Sequence, residues 1–285
     1  MDATVELEDL GMLQPAWGSV GRAFTLGTVA GFSKLMLTVL NTLTVKNHQA
    51  WLDAIYHRPQ GQGLITIANH TSMFDDPGVI SAITPWSFFW TEPWHQGNRW
   101  TMCAKEVCFK NELFRQFFSN GKTLPIVRGQ GVNQAVMSVV AREAGAGGWV
   151  HVFPEGRIHF SGQLGPFKWG PGKLVCDARR AAGGRDPVVL PFFHSGMGDV
   201  LPLKASFFRV GHHIHVTVGQ PLDLADLTCN CDAPGQDPQK VWEAIVRRMH
   251  AAMKELEATS PPNRNQVPDQ DPVNEGVKDA NKAPA

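Results

Sequence analysis

Between residues 23 and 45 the chain is mostly apolar. Phe32, Leu35, Met36, Val39, Leu40 and Leu43 recur at helical spacing, with Lys34, Thr38, Asn41 and Thr42 on the other side. This pattern predicts an amphipathic helix over 23–45 that either lies in a membrane interface, the reading the chemistry below favours, or packs on the domain. A clean membrane span needs about 20 consecutive apolar residues, and Lys34 interrupts the run. Residues 63–68 (GLITIA) predict a buried strand. Residues 84–94 carry two prolines and many aromatic rings, so a loop that dips into a membrane or packs on the surface is expected there rather than a long helix. Further on, the pattern predicts helices over 111–120, 132–144, 174–182 and 240–258. It predicts strands over 123–127, 149–153, 188–194 and 213–218. Strands alternating with helices imply an α/β fold. From Thr259 onward Pro, Asn, Asp and Lys dominate, which predicts a disordered tail. The expected organisation is an N-terminal segment 1–22, the helix 23–45, one α/β domain 46–258 and a tail 259–285.

Composition narrows the picture. Of 285 residues 43% are hydrophobic and 18% charged, with no formal net charge. No basic tract points to nucleic acid. Nine Trp stand against one Tyr, and Trp favours membrane–water interfaces. The cysteines, Cys103, Cys108, Cys176, Cys229 and Cys231, are odd in number and scattered. Neither a disulfide framework nor a zinc site is expected from them. The first residues are acidic and resemble neither a secretory signal nor a transit peptide.

The sharpest feature is Asn69-His70-Thr71-Ser72-Met73-Phe74-Asp75-Asp76-Pro77, directly after the strand 63–68. A turn after His70 lets the Asp75 carboxylate reach one imidazole nitrogen and fix the tautomer. The other nitrogen then accepts a proton from a substrate hydroxyl. A second motif, Phe153-Pro154-Glu155-Gly156-Arg157, follows the strand 149–153. Arg157 offers a planar fork for phosphate, and Gly156 lets a ligand approach the backbone. Glu155 is a candidate contact for a glycerol hydroxyl or for Arg157. Arg128, after the strand 123–127, is a second candidate phosphate cation, and Lys168 a candidate headgroup contact. Asp76 reads as a cap of the following turn. His194 reads either as a site residue or as a core histidine. Each motif alone is weak, but all follow strands, and strand ends on one sheet edge are where α/β folds place sites. No Gly-x-Ser-x-Gly nucleophile motif appears.

Together these motifs resemble the glycerolipid acyltransferase superfamily, which acylates glycerol phosphate and lysophosphatidate. Asp75-Asp76-Pro77, Phe167-Lys168-Trp169-Gly170-Pro171-Gly172 and His194-Ser195-Gly196-Met197-Gly198-Asp199-Val200-Leu201-Pro202 resemble its tafazzin branch. The resemblance runs from about Phe24 to Pro221. It implies a glycerol-3-phosphate acyltransferase-like fold: a mixed β-sheet flanked by helices, with an N-terminal membrane-associating helix. It implies His70 as general base and Asp75 as its partner, with Arg128, Glu155, Gly156 and Arg157 binding the acceptor. It implies no metal and no cofactor. The implied partners are phospholipid and lysophospholipid substrates at a membrane surface. The implied activity is transfer of an acyl chain from a phospholipid to a lysophospholipid such as monolysocardiolipin, on mitochondrial membranes facing the intermembrane space. Arg157 stands where tafazzins often carry Lys, and Gly78-Val79-Ile80 replaces bulkier residues. An acyl-CoA-dependent or N-acylphosphatidylethanolamine-forming relative is therefore the alternative.

Overall fold

The computed structural model describes residues 14–95, 97–202 and 205–263. The expected segment 1–22 and the tail 259–285 thus lie largely outside the described residues.

The centre is a five-stranded mixed sheet in the order β1-β7-β6-β2-β5. Its strands are β1 (Thr42–Lys46), β2 (Leu64–Ala68), β5 (Trp149–Val152), β6 (Val188–Ser195) and β7 (His213–Val218). β2 pairs in parallel with both β5 and β6, while β6 and β7 are antiparallel. A smaller parallel pair, β3 (Thr101–Ala104) and β4 (Thr123–Ile126), adjoins β5 through a bridge from Trp100 to Val150. β2 is buried at every position. A central parallel strand covered on both faces has no polar side, so it reads as an uninterrupted apolar run. Ile65 and Ile67 face a core formed with the helices Ala135–Gly145, Gly170–Ala181 and Pro238–Thr259. Leu64 and Ala68 face a second core formed with the helices His48–Tyr56 and Asp75–Ile83.

The expected helix 23–45 is corrected at both ends. A helix spans Gly18–Lys34, continues as a π-helical turn over Leu35–Val39 and stops there. Thr42–Lys46 is instead β1, paired in parallel with β7. Thr42, Thr44 and Val45 are β-branched, and such residues suit a half-buried sheet edge. The helix is not simply amphipathic. It buries Ala23, Leu26 and Ala30 while Val20 and Phe24 stay 80% and 63% exposed, so both faces are apolar.

The expected loop 84–94 is largely helical, Trp86–His95. Pro85 precedes the first turn, where a missing N–H costs nothing. The aromatic residues pack this helix onto Gly18–Lys34. Trp86 Nε1 donates to Gly27 O at 2.8 Å. A Cβ at Gly27 would lie 2.4 Å from the Trp90 ring, so only glycine admits this approach. Among the described residues no helix is long and apolar enough to cross a membrane.

The cysteine expectation is overturned. Cys103 pairs with Cys108 and Cys176 with Cys231, at Cα separations of 6.0 and 5.4 Å. Both separations fall in the ordinary disulfide range. The odd count is Cys229, which is exposed.

Candidate active site

β2 delivers His70 beyond its carboxyl end, flanked by the ends of β5 and β6. The Asn69 side chain clamps that end to β6. Its Nδ2 donates to His194 O, and its Oδ1 accepts the His194 N–H, both at 2.9 Å. After His70 the chain turns sharply into the helix Asp75–Ile83. The turn points two backbone N–H groups inward. Asp75 Oδ2 accepts from Thr71 N at 2.6 Å and Ser72 N at 2.8 Å, and lies 3.0 Å from His70 Nδ1. The short gap between the residues is therefore a carboxylate-centred turn. It selects the tautomer with Nδ1–H toward Asp75, leaving the lone pair on Nε2. Asp75 is 1% and His70 19% exposed, so the carboxylate is sealed and the imidazole is reachable. The imidazole stacks on Phe153 at 3.9 Å between centroids.

The second motif carries out a task its residue types did not announce. Glu155, expected to meet the acceptor, has a side chain that is fully buried. Its Oε1 accepts the His70 N–H at 2.9 Å and its Oε2 accepts the Gly165 N–H at 2.8 Å. The His159 N–H donates to His70 O at 2.7 Å. Both backbone polar groups of His70 are thus held from one loop. His159 Nε2 lies 3.1 Å from Arg157 Nε and 3.3 Å from Glu155 Oε2. One nitrogen cannot accept from the first and donate to the second. The guanidinium contact is shorter and takes the lone pair. Arg157 itself is exposed. Gly156 has φ +66°, and the Lys168 side chain passes where a Cβ would project, with Nζ 3.1 Å from that point. Glycine therefore brings Lys168 over the turn beside Arg157. Arg128 is placed otherwise: it is partly exposed beyond β4, with Nε 3.3 Å from Glu106 Oε1. None of its described contacts joins it to His70.

Four buried residues lie behind the site, and of these Arg99 and His151 were not singled out by the sequence. Asp76 is not a turn cap. It pairs with the buried Arg99, whose Nε donates at 2.8 Å and whose Nη2 contacts the same Oδ1. Burial is the largest single influence and raises the Asp76 carboxyl pKa, but the charges of Arg99 and His151 and the hydrogen bonds from Arg99 and Thr101 together outweigh it and hold the value below the ordinary carboxylate range. His194 is buried, with Nε2 2.8 Å from Asn69 O and 3.6 Å from Asp75 Oδ2. Burial lowers its pKa, so it is a neutral Nε2–H donor. His151, also buried, is pushed down to about 4 by desolvation. Among the described residues no cluster of His, Cys, Asp and Glu could hold a metal.

Residues 56–195 match the family model described as Acyltransferase, a span that contains β2, β5, β6 and the site. Tafazzin of Drosophila melanogaster is 34% identical over 82% of this chain and 60% of its own length. N-acylphosphatidylethanolamine synthase of Arabidopsis thaliana is 30% identical over 73% of this chain and 72% of its own. The chain belongs to the tafazzin group of the acyltransferase family. It spans less than two thirds of the fly tafazzin. The crystal structure of the 1-acyl-sn-glycerophosphate acyltransferase PlsC from Thermotoga maritima matches with a TM-score of 0.51. That match is at 18% identity and covers 83% of this chain and 82% of that one. At that identity the likeness shows the fold alone, a helix-flanked α/β sheet as the resemblance implied. The arrangement at His70 places an imidazole oriented by a carboxylate at a strand end, with two cationic side chains on the loop of the neighbouring strand.

Proposed function

We propose that this chain transfers a fatty acyl group from a phospholipid to the free hydroxyl of a lysophospholipid such as monolysocardiolipin. The observation that carries the reading is the His70–Asp75 pair, with a sealed carboxylate, a reachable Nε2 and Arg157 and Lys168 on the adjoining loop. His70 Nε2 takes the hydroxyl proton as that oxygen attacks the donor's acyl carbonyl carbon. Asp75 stabilises the imidazolium that results. The tetrahedral centre collapses, the donor's ester C–O bond breaks, and Nε2 returns the proton to the departing oxygen. Arg157 and Lys168 hold the acceptor phosphate, and Arg128 contributes charge from farther out. The exposed Val20, Phe24, Val39 and Phe207 support action at a membrane surface. The tafazzin resemblance implies mitochondrial membranes facing the intermembrane space, and two disulfides support an oxidising compartment.

A second reading is favoured by the Arabidopsis relative, whose name describes acylation of phosphatidylethanolamine. In it the acceptor is an amine and the donor acyl-CoA. The deciding experiment offers the purified chain liposomes with labelled phosphatidylcholine or labelled acyl-CoA. Monolysocardiolipin, lysophosphatidylcholine or phosphatidylethanolamine serve as acceptors, and His70→Ala runs in parallel. Transfer from phosphatidylcholine without coenzyme A supports the first reading. Transfer only from acyl-CoA, or onto the amine, replaces it with the second. Near-normal transfer by His70→Ala would falsify the mechanism.

A further inference from the structure

The end of the helix Pro238–Thr259 lies against the loop that follows Arg157. Glu257 Oε1 accepts the Leu164 N–H at 2.7 Å, and Lys254 Nζ donates to Leu164 O at 3.3 Å. Ser260 Oγ donates to Thr217 Oγ1 of β7 at 2.7 Å. Asn263 reaches farther. Its Nδ2 donates to Gly162 O at 2.6 Å, and its Oδ1 accepts the Gly196 N–H at 2.8 Å. One amide therefore ties the 156–169 loop to the residue just after β6. The stretch 259–263, expected to begin a disordered tail, is instead seated. Gly162 and Gly196 have φ of +71° and +90°, and a Cβ on Gly162 would fall 2.5 Å from Asn263 Cβ. The loop is shaped to admit this side chain.

The loop is also the one that holds the base. Leu164 precedes Gly165, whose N–H anchors Glu155 Oε2, while Glu155 Oε1 anchors the His70 N–H. Arg157 and Lys168 stand at its two ends. On the other side of the bridge, Gly196 follows Ser195 and His194, and His194 is bonded to Asn69.

We infer that Asn263 is a positioning residue that straps the 156–169 loop to the end of β6, setting the Glu155–His70 bond and the two acceptor cations. The inference rests on the acyl-transfer reading above. Asn263 touches no reacting atom; its effect passes through the loop. Misplacing a positioned group by about 1 Å can cost on the order of 100-fold, and a loosened loop should forfeit part of that. The loop carries Arg157 and Lys168. The loss should therefore appear first as a rise of about tenfold in the acceptor KM, with the donor KM unchanged.

The test compares full-length wild type, Asn263→Ala and Asn263→Asp. Acyl transfer is measured with acceptor and donor varied separately, and amide hydrogen exchange is followed at 162–165 and at His70. The expected result is faster exchange at these amides in both variants, unchanged exchange in β2, and a raised acceptor KM. Asn263→Asp keeps an acceptor for Gly196 but sets an oxygen against Gly162 O, so it should be impaired at least as much as the alanine. Wild-type exchange at 162–165, or faster exchange with a normal acceptor KM, overturns the inference. So does a fall in both activity and melting temperature with both KM values unchanged. If wild type acylates no acceptor, the acyl-transfer reading fails, and the exchange at His70 then decides the strap by itself.

Discussion

Two regions of this chain treat their side chains in opposite ways. Around His70 the groups that set the imidazole are bonded. Its N–H goes to Glu155, its carbonyl to His159, its Nδ1 to Asp75, and Asp75 in turn to two turn amides. Along Gly18–Lys34 and the π-helical turn after it, large apolar side chains point outward, Val20, Phe24 and Val39 among them. The first region excludes freedom, as preorganised proton transfer demands. The second leaves apolar surface for something outside the chain to cover. The proposed acyl transfer between lipids needs both, and here they occupy different elements. The helix packs on Trp86–His95 and Asp75–Ile83, so the two regions meet at the helix that Asp75 begins.

The sharpest way to test the first region is to remove the proposed base. His70→Ala should lower acyl transfer by about 100- to 10,000-fold, the range of a general base, with the melting temperature nearly unchanged. Breaking the buried pair behind it should act on stability instead. Asp76→Asn leaves Arg99 uncompensated and should cost about 3–5 kcal/mol, read from urea unfolding. Glu155→Gln turns one acceptor into a donor facing an N–H. A loss of about 10- to 100-fold in kcat with wild-type vesicle binding would place Glu155 with the base. A matching loss in Arg157→Ala that appears only in the acceptor KM would keep the two roles apart.

Acid provides a further probe of the interior. The folded His151 has a pKa near 4 against an ordinary value of 6.5. Between those values the unfolded chain binds a proton that the native histidine refuses. The stabilising contribution is therefore complete above pH 6.5 and is lost as pH falls toward 4. It amounts to about 3 kcal/mol at most. Urea midpoints at pH 7.5 and pH 5 check the sign, and His151→Phe should flatten the dependence. The smallest effect belongs to the second region. Phe24→Ser should weaken vesicle binding by about tenfold, since an apolar side chain only partly buried in the interface contributes roughly 1.5 kcal/mol, the low end of the range for full burial. Unchanged partitioning would remove Gly18–Lys34 from the membrane contact.

Much of the scaffold was legible in the chain because it is local. Residues 63–68 read as a buried strand since no polar residue but Thr66 interrupts them, and Leu64–Ala68 is an interior strand of the sheet, flanked by β5 and β6. Asn111 before a periodic run marks a helix start, and its side chain accepts the Phe114 N–H at 2.9 Å. The reading failed where local rules were overridden. Thr42–Lys46 continued a helical period, yet its β-branched residues found a partner in β7 far along the chain. Residues 84–94 looked proline-broken, yet packing against Gly27 holds Trp86–His95 helical. The cysteines looked scattered because spacing along the chain says little about proximity in space.

The same division runs through the site. His70 and Asp75 stand within one turn of each other, so their pairing follows from a strand that ends and a helix that begins. Gly156 likewise marks a backbone bend from its own identity. Those features the sequence determined by itself. What Glu155, His194, Arg99 and Asn263 do was decided only by tertiary structure. Their partners lie 85 residues away for Glu155 and His70, 125 for His194 and Asn69, 23 for Arg99 and Asp76, and 101 for Asn263 and Gly162. A residue type states what a side chain can bond. Which atom it meets depends on which strands stand side by side, and that is set by the burial of the whole sheet.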